Sequence, residues 1–185
     1  IHELASLDTD PLQANIDSHK KTLTNMGLDF DYWQSEQELR DNFSVDDVIK
    51  ELDQKGLIYK KENATWFSST KFGDEKDRVL IKADGHYTYF LVDLMYHQQK
   101  VKRGYSQLIN IWGADHHGYV ARVRAGLIAL YGEQFKDESS FEVMIGQLVS
   151  LKRDGEPIRM SKRTGDMITF DEVLDEIGTD ATRYF

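Results

Sequence analysis

Strand-like and helix-like segments alternate along residues 78–151. In chain order we predict a strand at 78–83, a helix at 87–102, a strand at 107–112, a helix at 118–131 and a strand at 143–151, where the periodicity also allows a helix. This alternation is typical of parallel sheets, because parallel strands need a long crossover connection that is usually a helix. We therefore predict an α/β fold with an open parallel sheet in this part of the chain.

Residues 1–78 follow a different, α+β pattern. Their predicted elements are a helix from Asp10 to Gly27, a helix from Ser44 to Gly56, and strands at 57–59 and 65–68. Asp10 can cap the first helix with Pro11 at its first helical position, and glycine ends both helices. We expect this part to be a separate α+β region on the N-terminal side of the sheet.

The charge of the chain limits the partners that it can bind. The sequence has 23 Lys and Arg residues against 32 Asp and Glu residues, giving a formal net charge of −9 over 185 residues. A protein that binds nucleic acid over its whole surface carries a positive excess, because phosphate contacts are made by cations. Any contact with a polyanion must therefore be local. With 0 Cys, disulfides and thiolate ligands are also excluded.

Four polar or aromatic side chains share one face of the helix predicted at 87–102. Tyr89, Asp93, Tyr96 and His97 are spaced by three and four residues in an otherwise largely apolar segment. A carboxylate among apolar residues is costly unless it meets a cation or hydrogen-bond donors. Two interpretations stay open: a site in which Asp93 receives a cationic ligand group, or a polar helix face that meets water.

A second candidate site follows the strand predicted at 107–112, in the sequence IWGADHHG at 111–118. Ligands of open α/β sheets bind beyond the carboxyl ends of strands, and Gly113 would let a nucleotide approach the backbone. Asp115 could accept hydrogen bonds from ribose hydroxyls, and the next imidazole could contact the base or a second substrate. A metal cluster of Asp115, His116 and His117, or a helix cap by Asp115, are the alternatives.

A third candidate site is the segment LKRDGEPIRMSKRTGD at 151–166. Five basic and two acidic residues lie between 152 and 163, so this stretch is locally positive on an acidic chain. Its Lys162 could stabilise the charge that develops on a phosphate in a transition state. The alternative is an ordinary solvated surface loop.

Taken together, these three segments resemble the class I aminoacyl-tRNA synthetases. RMSKRTG and the following DATRYF resemble the KMSK-loop region, most closely that of the arginyl-tRNA synthetases. DGHYTYFLVDLMYH and WGADHHGYVARV are similar to that family's substrate-binding helix and strand-end motif, in the same order. The resemblance covers residues 79–185 and implies the second half of a Rossmann-type catalytic domain, with residues 1–78 as the connecting insertion.

The resemblance implies a role for each matched residue. Tyr89, Asp93, His97 and His116 would bind arginine, with Asp93 pairing the guanidinium. Gly113, Asp115, Arg159 and Met160 would bind ATP, and Ser161 and Lys162 would be catalytic, with Lys162 acting on the transferring phosphates. Magnesium would accompany ATP as part of the substrate complex, with no tightly bound cofactor and no protein metal site. The implied partners are arginine, ATP and tRNA(Arg), with no membrane, and the implied location is the cytoplasm.

The chain also departs from the family pattern. Arg159 replaces the first lysine of the KMSK signature, and no HIGH-type segment occurs in the 185 residues. Because the chain begins at Ile1 rather than methionine, we expect an internal fragment. Because the HIGH-type segment is absent, we expect that this fragment alone cannot aminoacylate tRNA. A metal-dependent phosphoesterase of the Asp-His-His type and a non-catalytic nucleotide- or amino-acid-binding module are the rival hypotheses.

Overall fold

The computed structural model describes residues 10–147, 149–153, 155–157 and 168–184. It divides the chain into two compact units: Gln34–Leu148 forms the larger, and Ile1–Trp33 with Val149–Phe185 forms the smaller. The helices and strands are α1 (Pro11–Asn25), α2 (Glu36–Asn42), α3 (Val45–Gln54), β1 (Ile58–Lys61), β2 (Ala64–Phe67), β3 (Arg78–Ile81), α4 (Tyr89–Lys102), β4 (Leu108–Gly113), α5 (Val120–Tyr131), β5 (Phe141–Gly146), β6 (Lys152–Arg153), β7 (Glu156–Pro157) and α6 (Phe170–Tyr184). Among these, no helix is long and apolar enough to cross a membrane.

The predicted parallel sheet is confirmed by β4 and β5. These strands pair in parallel, with Leu108 opposite Phe141 and Gly113 opposite Gly146, and α5 forms the crossover between them. Leu108 and Phe141 are buried in a core with Val123 and Leu127 of α5. The helix therefore covers one face of the sheet, as expected for an α/β fold. Strand β5 ends at Gly146, before the end predicted at residue 151.

The strand predicted at 78–83 exists, but its expected place in the parallel sheet is wrong. β3 instead pairs antiparallel with β2, which pairs antiparallel with β1. The β1–β2 turn uses Glu62 and Asn63 with positive φ values of 52° and 58°, the conformation of the tight turns that join hairpin strands. Because β3 begins at Arg78, it spans the boundary between residues 78 and 79, and the functional division there stays a prediction.

Helix α4 packs against α5 through a close contact at Gly126. A Cβ atom at this glycine would overlap the Cδ2 atom of Leu94, whose side chain is fully buried. The absence of a side chain thus sets the separation of the two helices. This matters for the site because Leu94 is adjacent to Asp93 in α4.

We expect Gly126→Ala to destabilise the larger unit by about 1–3 kcal/mol, the usual cost of overpacking a core. Urea unfolding of the two proteins measures the change. Gly118→Ala, where an added Cβ atom meets no other atom within 4 Å, is the matched control. Unchanged stability in Gly126→Ala would contradict the proposed helix separation.

In the smaller unit, α1 confirms the predicted cap, and α6 also begins with a side-chain cap. The Asp10 side chain accepts a hydrogen bond from the Leu12 N–H at 3.1 Å, and Pro11 is the first helical residue. The Thr169 hydroxyl accepts from the Glu172 N–H while the Glu172 carboxylate accepts from the Thr169 N–H, which is a capping box. Gly178, with φ 79° and ψ 166°, interrupts α6 with a non-helical backbone conformation.

Candidate substrate site of the larger unit

The candidate site is built around the first two turns of α4. Thr88 begins this helix: its hydroxyl accepts from the Leu91 N–H at 3.3 Å and donates to the Val79 carbonyl of β3 at 2.9 Å. The start of α4 is therefore fixed to the neighbouring strand by a single side chain. A well-fixed helix start is what a binding site on its first turns requires.

A pocket of about 260 Å³ opens beside this part of α4. Its lining residues are Gln34, Glu36, Leu39, Tyr89, Val92, Asp93 and Tyr96. The structure thus brings together three of the four residues that the sequence places on one helix face. Tyr89 is 84% exposed, so its ring stands free at the mouth, whereas Asp93 is partly buried.

The opposite wall of the pocket comes from α2, which the sequence analysis missed. Glu36 and Leu39 belong to this helix, and the buried Leu39 attaches it to the core that contains α4. A signal was available: Ser35 is followed three residues later by Glu38, and the Ser35 hydroxyl accepts from the Glu38 N–H at 3.3 Å. The pocket therefore has two acidic groups, Asp93 and Glu36.

Asp93 is the most perturbed carboxyl group of this pocket. Burial raises its pKa, and the negative charge of Glu36 acts in the same direction, while Tyr119, His116 and Lys100 lower the pKa without cancelling the effect of burial. A partly buried carboxylate of this kind is stabilised when a cation enters its pocket. The pocket is therefore suited to a cationic group.

Tyr119 lies beside Asp93 with its own hydrogen bonding incomplete. Its hydroxyl and the Nε atom of Arg122 are buried and have no hydrogen-bond partner of normal geometry among the described residues. Burial and the neighbouring Asp93 raise the pKa of Tyr119, and the Arg122 guanidinium lies 4.5 Å from the Tyr119 ring centre. Buried polar groups are normally satisfied, so a ligand could complete this pair.

His97 does not reach the pocket, so the expectation that it contacts arginine directly does not fit this structure. Its side chain is 3% exposed, Nδ1 lies 2.8 Å from the Asp93 carbonyl, and Nε2 lies 3.0 Å from Nδ2 of Asn110. Both ring nitrogens are therefore engaged inside the chain. Burial lowers the pKa of His97 to about 4, so the imidazole is neutral at pH 7.

The carboxyl end of β4 places the second group of predicted residues next to the pocket. Gly113 is the last residue of the strand, and a Cβ atom there would lie 2.8 Å from Oδ1 of Asp115. Glycine thus lets the Asp115 carboxylate turn back towards the strand end. His116 packs edge-to-face with Tyr119, with ring centres 6.4 Å apart, which connects this strand end to the surroundings of Asp93.

Two sequence-based expectations concern a metal site and the segment at 159–162. Among the residues that the structure describes, no three His, Asp or Glu side chains are grouped to hold a metal ion, so the Asp-His-His alternative has no ligand set there. Arg159, Met160, Ser161 and Lys162 lie outside the described residues.

The parallel strand pair, its helical crossover and a pocket beside the strand end define an α/β domain of the Rossmann class. Residues 13–184 match the family described as tRNA synthetases class I (R), catalytic domain. The chain therefore belongs to this family of class I tRNA synthetases.

Curated relatives and solved structures agree with this assignment. An arginine–tRNA ligase of Anoxybacillus flavithermus is 51% identical over 174 residues, covering 94% of this chain and 31% of the relative. The Bacillus subtilis arginine–tRNA ligase is 48% identical over the same coverage. A crystal structure described as a Campylobacter jejuni arginyl-tRNA synthetase has a TM-score of 0.81 and 39% identity, and covers 93% of this chain and 36% of that one.

The chain thus spans about a third of the length of the relatives that it matches. These comparisons confirm two predictions: the Rossmann-type fold, and the family resemblance drawn from the three sequence motifs. The expectation that the 185 residues alone do not aminoacylate tRNA stays a prediction.

Proposed function

We propose that the native protein containing this chain is an arginine–tRNA ligase. It activates arginine with ATP to arginyl-adenylate, releases pyrophosphate, and transfers the arginyl group to tRNA(Arg) in the cytoplasm. The observation that carries the proposal is the partly buried Asp93 in a pocket lined by Tyr89 and Tyr96, in a chain of this synthetase family. A planar cation flanked by rings suits such a pocket.

In this proposal the arginine guanidinium pairs with Asp93. A guanidinium matches a carboxylate with two parallel hydrogen bonds, which neither lysine nor a neutral side chain can make. Tyr89 covers the guanidinium at the mouth, and His116 lies on the side of the strand end. His97 contributes indirectly, because it is buried beneath the pocket.

ATP occupies the strand end, where Gly113 allows close approach and Asp115 accepts from the ribose hydroxyls. By motif resemblance, Arg159 and Met160 contact ATP, and Ser161 and Lys162 act on its phosphates. Magnesium arrives with ATP as part of the substrate complex, held mainly by phosphate oxygens and water. The residues of this chain supply position and charge: Asp93 orients arginine, and Lys162 stabilises the transferring phosphate.

Amino-acid-dependent exchange of pyrophosphate into ATP tests the proposal. The native protein is assayed with each standard amino acid, in the presence and absence of tRNA. We expect exchange with arginine and not with lysine or citrulline, which lack the charged planar fork. No exchange with arginine under either condition overturns the proposal, and arginine binding without exchange identifies the non-catalytic binding module instead.

Lys162→Ala is expected to lower kcat of the exchange reaction by at least about tenfold, or roughly 1.4 kcal/mol of transition-state stabilisation. The dissociation constant of arginine should change little, because the proposed contact strengthens only as charge moves on the phosphates. Steady-state exchange kinetics and calorimetric arginine binding give the two values, with Lys136→Ala, on an exposed turn, as the control. Equal losses in both values would contradict this role for Lys162.

A further inference from the structure

A chain of three side chains lies beneath the pocket and connects α4 to β4. The Lys100 ammonium donates to Oδ1 of Asn110 at 2.7 Å, and Nδ2 of Asn110 lies 3.0 Å from Nε2 of His97. Nδ1 of His97 lies 2.8 Å from the Asp93 carbonyl. Asn110 and His97 are 5% and 3% exposed. We call Lys100, Asn110 and His97 the relay.

The donors and acceptors of the relay fit together in only one way. An ammonium group only donates, so Lys100 must face the oxygen of the Asn110 amide, and the amide nitrogen then faces His97. That nitrogen is a donor, so Nε2 of His97 must be unprotonated and accept its hydrogen bond. Nδ1 must then carry the hydrogen that is donated to the Asp93 carbonyl. The Lys100 ammonium, which only donates, and the Asp93 carbonyl, which only accepts, thus require the same tautomer of His97.

The relay lies where it can fix the position of α4 relative to β4. One end, His97, bonds to the backbone carbonyl of Asp93, and the middle member, Asn110, belongs to β4 three residues before Gly113. Lys100 also lies 4.4 Å from the Tyr96 ring centre, and its charge lowers the pKa of Asp93. Tyr96 lines the pocket as well. The helix that lines the pocket and the strand that ends beside it are therefore joined by hydrogen bonds of this relay.

We propose that the relay holds α4 and β4 at the spacing that aligns the two substrates. Lys100, Asn110 and His97 are positioning residues: they fix Asp93 relative to the strand end without touching a ligand. This inference rests on the proposed function, in which arginine lies on α4 and ATP at the end of β4. A displacement of about 1 Å between reactants can cost roughly 100-fold in rate while each still binds.

Asn110→Asp in the native protein tests the relay, because aspartate has the same shape and still accepts from Lys100 but cannot donate to His97. We expect His97 to gain a hydrogen on Nε2, which ¹⁵N NMR of the ring nitrogens detects. We also expect kcat of arginine-dependent exchange to fall by about tenfold or more, with arginine and ATP dissociation constants changed less than about threefold. Asn42→Asp, at an exposed position, is the matched control.

The two readouts separate the relay from the proposed function. If the ¹⁵N NMR spectrum of the wild type shows the hydrogen of His97 on Nε2, the relay is overturned whatever the protein catalyses. An unchanged kcat in an Asn110→Asp protein whose His97 spectrum has changed overturns it as well. No exchange with arginine in the wild type overturns the proposed function and, with it, the substrate-aligning role. If Asn110→Asp does not fold, Lys100→Met replaces it, because loss of the ammonium removes the group that fixes the orientation of the Asn110 amide. A kcat lower by about tenfold or more, with arginine and ATP dissociation constants changed less than about threefold, supports the relay, and an unchanged kcat overturns it.

Discussion

Replacing Asp93 by asparagine in the native protein is expected to weaken arginine binding by about 2–5 kcal/mol, or roughly 30- to 5,000-fold. Asparagine keeps the shape of the side chain but leaves the guanidinium without a counter-charge in a partly desolvated pocket. Isothermal titration with arginine measures the loss. Asp53→Asn, exposed near the end of α3, is the matched control and should change nothing.

The affinity for arginine should also depend on pH through the Asp93 carboxyl group. Burial raises the pKa of Asp93, so this carboxyl group takes up a proton at a higher pH than an ordinary aspartate. Arginine keeps its charged guanidinium throughout, so its affinity should fall as the pH falls through the raised pKa of Asp93. Asp93→Asn should lose this dependence. Equal affinities of the wild type and the variant would show that Asp93 belongs only to a solvated helix face.

The sequence could predict one wall of the pocket because helical spacing is a local property. Tyr89, Asp93 and Tyr96 line the same recess, as their spacing of three and four residues requires. His97 has the same spacing but is covered, since its ring packs against Phe141 of β5 with ring centres 5.6 Å apart. Periodicity shows which residues share a face of α4, and not where a neighbouring strand covers that face.

Features that depend on distant pairing could not be predicted in this way. The sequence indicates β3 as a strand, yet its antiparallel partner β2 lies beyond residues 68–77 of the chain, and a strand pattern does not say which strand it pairs with. Glu36 enters the pocket because Leu39 anchors α2 in the core beside α4. The Lys100–Asn110–His97 relay likewise needs α4 and β4 to be side by side. Each of these features comes from tertiary packing, which no local pattern encodes.

The ion pair of Asp74 and Arg78 should have the second large effect, on stability rather than on binding. Arg78 donates to both carboxylate oxygens, from Nε at 2.7 Å and from Nη2 at 2.6 Å, and the side chains are 1% and 11% exposed. We expect Asp74→Ala to cost about 3–5 kcal/mol, because it leaves a buried guanidinium unpaired. Urea unfolding gives the change, and Glu133→Ala, which removes the exposed pair with Lys136, should cost no more than about 1 kcal/mol.

The stability lost in Asp74→Ala should also depend on pH, and the pKa of the Asp74 carboxyl group decides in which direction. Burial alone would raise the pKa of Asp74, but hydrogen bonds from Arg78 and Ser69 outweigh it and hold the pKa below its usual value. A lowered native pKa stabilises the fold above the unfolded pKa of about 3.9, and that stability is lost as the pH falls through the native value. The difference between the wild type and Asp74→Ala should therefore be full at pH 7 and shrink below about pH 4. Arg78 begins the strand whose Val79 carbonyl accepts the hydrogen bond of Thr88 at the start of α4. Loss of the ion pair should therefore weaken arginine binding as well as stability. A destabilised Asp74→Ala variant that binds arginine normally would show that the ion pair and the binding site are not coupled.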